Sequence, residues 1–186
     1  MADRLTETSK FLSYVLRHEP QAIGLALDGE GWAGIDALIA AAAAKGRVLD
    51  RELVRAVVDT NDKKRFAISP DGARIRAVQG HSTTEVAIAY APVEPPEQLF
   101  HGTATRFLAS IRAEGLVADS RHHVHLSPDA ETATAVGRRH GQPVVLTVAA
   151  GTMHRQGFVF HRADNGVWLT KAVPPVFLGE DSASLP

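Results

Sequence analysis

The sequence predicts an α+β chain in two parts, and three observations carry that prediction. The segment Pro92-Val93-Glu94-Pro95-Pro96-Glu97 places three prolines within five residues, which neither a helix nor a central strand tolerates. Before it, apolar residues recur at helical spacing in three stretches and then alternate in two short runs. After it, short β-type runs separated by glycine turns outnumber the helical stretches. The expected organisation is therefore a lobe over 1–91, a linker at 92–97 and a β-rich lobe over 98–186.

In the first part, Thr6 to Leu16 reads as a helix with Phe11, Leu12, Val15 and Leu16 on one stripe. Asp28-Gly29-Glu30-Gly31 is a turn, and Trp32 to Ala44 reads as a second helix with Ile35, Leu38 and Ile39 inward and Gly46 as its stop. Asp50 is placed to cap a third helix through Val58, whose inner stripe is Leu53, Val54, Val57 and Val58. Two strands follow, Arg65 to Ser69 and Arg74 to Gln79, joined by the turn Pro70-Asp71-Gly72. Three helices and then a β-hairpin is the element order of a winged helix. Such domains bind nucleic acid or protein, so the order alone does not decide function.

In the second part, Gln98 to His101 reads as a short strand and Thr103 to Glu114 as a helix ended by Gly115. Arg121 to Ser127 is a strand by alternation, Pro128 to His140 a helix stopped by Gly141, and Val144 to Val148 an apolar strand. Gly157 to Phe160 is a further strand. Asn165-Gly166 is a hairpin turn before Val167-Trp168-Leu169, and Val176 to Leu178 closes the set.

Length and composition leave room for a real core and indicate neither disorder nor a coiled coil: 186 residues, 45% hydrophobic and 22% charged. No apolar run approaches the roughly 20 residues of a membrane span, and the first residues lead into no signal-peptide core, so a cytoplasmic protein without a membrane partner is expected. Without cysteine there is no disulfide framework, thiolate zinc site or cysteine nucleophile. A net charge of -1 argues against coating nucleic acid by bulk electrostatics, so phosphate recognition must come from local clusters. Beyond Pro95, seven of eight lysine and arginine residues are arginine and seven of the nine histidines occur, and the arginine fork matches phosphate oxygens.

The most telling stretch is Arg121-His122-His123-Val124-His125-Leu126-Ser127. A strand would put Arg121, His123, His125 and Ser127 on one face and Val124 and Leu126 on the other, against a core. A guanidinium, two imidazoles and a hydroxyl in a row suit a phosphorylated ligand. The spacing of His123 and His125 also suits two metal ligands, but no acidic residue flanks them and Arg121 on the same face repels a cation, so no metal is expected.

Elsewhere, Leu16-Arg17-His18 places two bases at a helix C-terminus, where they serve either the helix dipole or an anion. Lys63-Lys64-Arg65 with Arg74, Arg76 and Gln79-Gly80-His81-Ser82 forms a basic patch, or a solvated hairpin balanced by Asp59, Asp62 and Asp71. His101-Gly102-Thr103 is a turn able to approach an anion, or one with Thr103 as N-cap. Ser127 before Pro128 is placed as a helix N-cap. Arg138, Arg139 and His140 end the same helix, and Asn165 sits in the hairpin turn. No phosphate-binding glycine loop or paired carboxylates for two-metal hydrolysis occur.

Taken in order, these strings resemble the NAD-dependent RNA 2′-phosphotransferase family, enzymes that remove the tRNA splice-junction 2′-phosphate. The resemblance runs from Ser9-Lys10, Leu12-Ser13 and Leu16-Arg17-His18 through Arg65-Phe66, Ile75-Arg76-Ala77 and Gln79-Gly80-His81-Ser82. It continues through His101-Gly102-Thr103, Gly115-Leu116, Arg121 with His123 to Ser127, Arg139 to Pro143, and Asn165 to Leu169 with Val173-Pro174. At Ala118-Asp119-Ser120 the chain departs from the family, which often has a methionine before the arginine.

The resemblance implies an N-terminal winged-helix lobe and a C-terminal ADP-ribosyltransferase-like lobe, with the active site in the cleft between them. It implies that an RNA 2′-phosphate attacks the anomeric carbon of the NAD ribose and expels nicotinamide, giving an ADP-ribosylated RNA phosphate. The neighbouring ribose hydroxyl then attacks that phosphate, releasing 2′-hydroxyl RNA and ADP-ribose 1″,2″-cyclic phosphate. Mapped by position, the catalytic group is Arg17, His18, Arg65 and Arg121. The NAD-binding side is His101, Gly102, Thr103, His125, Ser127, Arg139 and Asn165. The RNA-binding side is Lys64, Arg74, Arg76, Gln79 and His81. NAD as co-substrate, RNA carrying a 2′-phosphate as partner, and a monomer are the corresponding expectations. Two other readings stay open: an ADP-ribosyltransferase that stops at modifying a protein or a terminal nucleic-acid phosphate, and a non-enzymatic winged-helix regulator.

Overall fold

A computed structural model describes residues 2–83, 86–119 and 121–180 as a mixed α/β chain with small antiparallel sheets. Ser120, in the loop that departs from the family pattern, lies outside the described residues. The chain divides into two compact units, 1–89 and 90–186.

The first unit is built on α1 (Ala2–Arg17), which starts earlier than the periodicity predicts and buries Leu12, Val15 and Leu16 completely. A 3-10 turn over Pro20–Ile23, unforeseen from the sequence, follows with Gly24 at φ 69. The expected second helix from Trp32 starts three residues late. Ala33–Gly34 forms a short strand, β1, and α2 runs Ile35–Ala44. The cause is tertiary: Gly34 is extended, and the Ile35 amide donates to the Ala73 carbonyl at 2.9 Å, so pairing with the hairpin outweighs helix propensity.

In α3 (Arg51–Asp59) the Asp50 carboxylate accepts from the Leu53 amide at 2.7 Å, the cap expected from sequence. The hairpin strands are β2 (Phe66–Ile68) and β3 (Arg74–Ala77), with Phe66 opposite Ala77 and Ile68 opposite Ile75. Their turn is closed by the Gly72 amide donating to Ser69 at 2.8 Å, with Gly72 at φ 69. The sheet order is β1-β3-β2, and Phe66, Ile75 and Ala77 join the helical stripes in one core. Val86 is buried, and the Ala87 amide donates to the Gly29 carbonyl, so 86–89 packs on this unit.

The second unit takes in the segment 92–97 that the sequence marks as a linker. Pro92 bridges to His161, the Val93 amide donates to Phe160 at 2.9 Å, and Glu97 pairs with Arg155 at 2.6 Å. Next, β4 (Leu99–Ala104) extends through Thr103, where a helix is expected from sequence, and α4 begins only at Leu108 (Leu108–Glu114) after a 3-10 turn. Six cross-strand partners on β7 (Pro143–Val148), Leu99↔Val148 through Ala104↔Pro143, hold Gly102-Thr103-Ala104 extended against that local preference.

The remaining strands are short: β5 (Leu116–Val117), β6 (Val124–Leu126), β8 (Phe160–Arg162), β9 (Trp168–Thr170), β10 (Ala172–Val173) and β11 (Leu178–Glu180). They pair as β11-β7-β4, β6-β9-β8 and β10-β5. Between them lie α5 (Ala130–Gly137) and the unforeseen α6 (Ala150–Arg155). Asp129, not Ser127, caps α5, accepting from the Thr132 amide at 2.7 Å. Ser127 is engaged instead in a two-way backbone bridge with Phe100. A Cβ on Gly102 would collide with the Ala133 carbonyl oxygen, so only glycine lets β4 lie this close to α5.

Candidate functional site

Each unit brings together part of the residue set expected from sequence. In the first, Arg17 and His18 leave the C-terminal end of α1, where cations are favoured. Arg65 stands just before β2, and an Arg17 guanidinium nitrogen donates to its carbonyl at 3.4 Å, joining residues 48 positions apart. The Arg65 guanidinium in turn donates to the Asn61 side chain at 3.4 Å, and Asn61 donates to Ser9 on α1 at 3.2 Å. His18 Nδ1 lies 2.9 Å from the Ser82 hydroxyl, and the Ser82 amide donates to the Arg17 carbonyl at 2.9 Å. Two guanidinium groups and an imidazole are thus gathered by bonds to a carbonyl, a carboxamide and a hydroxyl.

The expected RNA-binding residues of this unit have differing surroundings. Arg74 and Arg76 lie over the Trp32 ring, at 5.4 and 4.7 Å, and pair with Asp28 at 3.5 Å and Glu30 at 3.6 Å. His81 is buried, its Nε2 close against Gly31, and Gln79 is half-buried. Lys64, at φ 41, is exposed beside Arg65. Lys63 and Lys64 are exposed, and the hairpin arginines pair with acids of the 28–31 turn.

In the second unit the alternation holds where the strand does. Val124 and Leu126 are buried and His125 lies between them on the other face, but Arg121 precedes β6 rather than belonging to it. Arg121 still reaches the same place, its Nη1 lying 2.6 Å from His125 Nδ1. A guanidinium only donates, so His125 Nδ1 accepts and the ring proton sits on Nε2. His101 on β4 donates from Nδ1 to the His125 carbonyl at 3.1 Å, which leaves its Nε2 lone pair available. Burial pulls the His101 imidazole below its ordinary value and keeps the ring neutral, with the bond to His125 opposing and the nearby His140 reinforcing that shift. Arg121 is also pulled below its ordinary range by desolvation, yet it stays a cation.

The other residues expected on this side have varied surroundings. Thr103 is buried, Ser127 is half-buried in its bridge to Phe100, and Arg139 is exposed after α5. Asn165 accepts from the Val167 amide at 3.4 Å and so serves its own turn. His123, expected in the outward row, instead packs its ring against Tyr90 at 6.2 Å and His161 at 5.7 Å, and desolvation lowers its pKa first, His161 and His122 further. Among the described residues no group of three His, Cys, Asp or Glu could hold a metal ion.

The residues that hold these clusters were not singled out from sequence. Ser82 is legible only as one polar group of the basic patch and Ser9 only within the Ser9-Lys10 string of the resemblance, while Asn61 carries no signal, because bonds across 50 or more positions leave no local periodicity.

The family model described as RNA 2′-phosphotransferase, Tpt1 / KptA family, matches residues 3–172. The chain belongs to this family of RNA 2′-phosphotransferases. It is 67% identical over 176 residues to a probable RNA 2′-phosphotransferase of Pseudomonas aeruginosa (strain UCBPP-PA14), covering 95% of this chain and 97% of that one. It is also similar to proteins of the same name from Pectobacterium atrosepticum, at 56% identity over 97% of this chain and all of the relative, and from Escherichia coli O6:K15:H31, at 59% over 94% and 95%.

Proposed function

We propose that this chain transfers an internal RNA 2′-phosphate to NAD by way of an ADP-ribosylated RNA 2′-phosphate, yielding 2′-hydroxyl RNA, ADP-ribose 1″,2″-cyclic phosphate and nicotinamide. The observation that carries the reading is the joining of Arg17, His18 and Arg65, from separate stretches of chain, into one hydrogen-bonded group within the first unit of a family member. The first unit's three helices, hairpin and added short strand support reading it as a winged-helix lobe. The second is then the ADP-ribosyltransferase-like, NAD-binding lobe of a cytoplasmic enzyme.

The chemistry needs positive charge around phosphate oxygens in both steps and no metal. Arg17, Arg65 and Arg121 supply guanidinium forks that stay charged at any working pH, and His18 supplies a titratable partner. On the NAD side the donor set fits a pyrophosphate and ribose hydroxyls. It contains an imidazole Nε2–H at His125, an imidazole lone pair at His101 and hydroxyls at Thr103 and Ser127, and no carboxylate. When bound, NAD supplies an ADP-ribosyl group activated by its nicotinamide leaving group. His101, Gly102, Thr103, His125, Ser127, Arg139 and Asn165 are the residues that would hold it.

The test is to incubate the full chain with NAD and an oligonucleotide carrying one internal 2′-phosphate. Complete dephosphorylation with matching nicotinamide release is expected. An RNA adduct that never matures would instead mark an ADP-ribosyltransferase that stops at modification, and binding without NAD consumption would mark a regulator.

A further inference from the structure

We propose that Ser82 is a positioning residue for His18, setting which nitrogen of that imidazole faces the substrate phosphate; this rests on the proposed reaction. Ser82 is tied to the end of α1 twice. Its amide donates to the Arg17 carbonyl at 2.9 Å, one of the carbonyls a helix end leaves without an intrahelical partner. Its hydroxyl lies 2.9 Å from His18 Nδ1. The backbone bond fixes where the hydroxyl sits, and the hydroxyl fixes the ring.

The approach is shaped by Gly80, two residues earlier, at φ 85. A Cβ there would meet the Arg17 guanidinium at 3.8 Å, which is ordinary contact, so the glycine is needed for its backbone conformation rather than for space. With that turn the 80–82 segment comes back along α1 and brings Ser82 over His18.

A serine suits the task for a chemical reason. A hydroxyl both donates and accepts, so it can hold Nδ1 whether the imidazole is neutral or protonated. With Nδ1 turned to the Ser82 hydroxyl, Nε2 is the nitrogen on the ring's opposite edge, the one we assign to the phosphate. Without that hydroxyl the ring loses the bond that turns Nδ1 toward Ser82.

The experiment uses the full chain and three variants, Ser82→Ala, Ser82→Thr and His18→Ala, with NAD and a 2′-phosphorylated oligonucleotide, following nicotinamide release and 2′-hydroxyl RNA separately. Ser82→Ala is expected to slow release of 2′-hydroxyl RNA about tenfold, the equivalent of one ordinary hydrogen bond, while nicotinamide release stays within about twofold. Ser82→Thr, which keeps the hydroxyl, should return to within about threefold of the parent.

In parallel, the 15N resonances of the His18 ring, assigned by their loss in His18→Ala, should move in Ser82→Ala and return in Ser82→Thr. Unchanged ring resonances in a folded Ser82→Ala protein overturn the assignment, as does product release at the parent rate. If Ser82→Ala fails to fold, Ser82→Thr decides, and ring resonances away from the parent positions then count against the proposal. Parent activity in His18→Ala would sink the reaction reading instead, and the ring resonances would still decide whether Ser82 orients the imidazole.

Discussion

Arg65 and Arg121 are both expected to act on the phosphate, yet their surroundings differ. Arg65 is braced by Asn61, whereas Arg121 leans on an imidazole whose lone pair it occupies. Neither contributes its guanidinium to a hydrophobic core, so Arg65→Ala and Arg121→Ala should leave the fold intact. Each should stall the reaction with ADP-ribosylated RNA accumulating on a denaturing gel, and prompt conversion to 2′-hydroxyl RNA would reject the assignment. Trp32 offers a contrasting case. Because Arg74 and Arg76 lie on its ring, Trp32→Ala removes about 1 kcal/mol of cation–π support from each, and should register as a lowered unfolding midpoint with the chemical steps preserved. Gly102→Ala drives a methyl into the Ala133 carbonyl and should cost about 3 kcal/mol or more, read by urea denaturation.

At the scale of elements, helix ends are where local sequence speaks most directly. Asp50 caps α3 as read from sequence, and Asp50→Ala should cost about 1 kcal/mol in the stability of the first unit. For α5, Ser127-Pro128 looked like a cap and first helical residue, but Asp129 holds the Thr132 amide. Asp129→Ala should therefore destabilise where Ser127→Ala leaves α5 unchanged, a difference that thermal denaturation of the two variants resolves. Strand extents were harder to read: β1, β5 and β10 are two residues long, and such pieces exist only because a partner strand supplies their hydrogen bonds.

For the whole molecule, two separate hydrophobic clusters, one in each unit, argue that residues 1–89 carry their own core. That fragment should fold alone with a cooperative transition by circular dichroism, and ending it at residue 83 should lower its midpoint by removing Val86. Stability should also depend on pH through His101 and His123, whose folded values desolvation holds below the ordinary imidazole value. The unfolded chain then binds more protons, so this contribution is fully present above about pH 6.5 and is lost as pH falls through the depressed folded values. The urea midpoint should drop between pH 7.5 and 5.5, and His123→Phe, which keeps a ring against Tyr90 and His161, should shrink that drop.

Much of the molecule was legible in one dimension. The helical stripes of α1, α2 and α3, the Asp50 cap, the Pro70-Asp71-Gly72 turn and the buried Val124 and Leu126 all follow from periodicity and turn chemistry acting over a few residues. So does the family, through short strings in a fixed order. Only the tertiary structure decided that Trp32 stays outside the helix and Ala33-Gly34 form a strand, that Gly102-Thr103 stay extended, and that Arg74 and Arg76 are occupied by Trp32, Asp28 and Glu30. It alone tied Arg17 to Arg65, and His18 to Ser82. The reason is the range of the forces: propensity and capping act between neighbours in sequence, whereas strand pairing and side-chain bonding act between neighbours in space, which a linear order does not record.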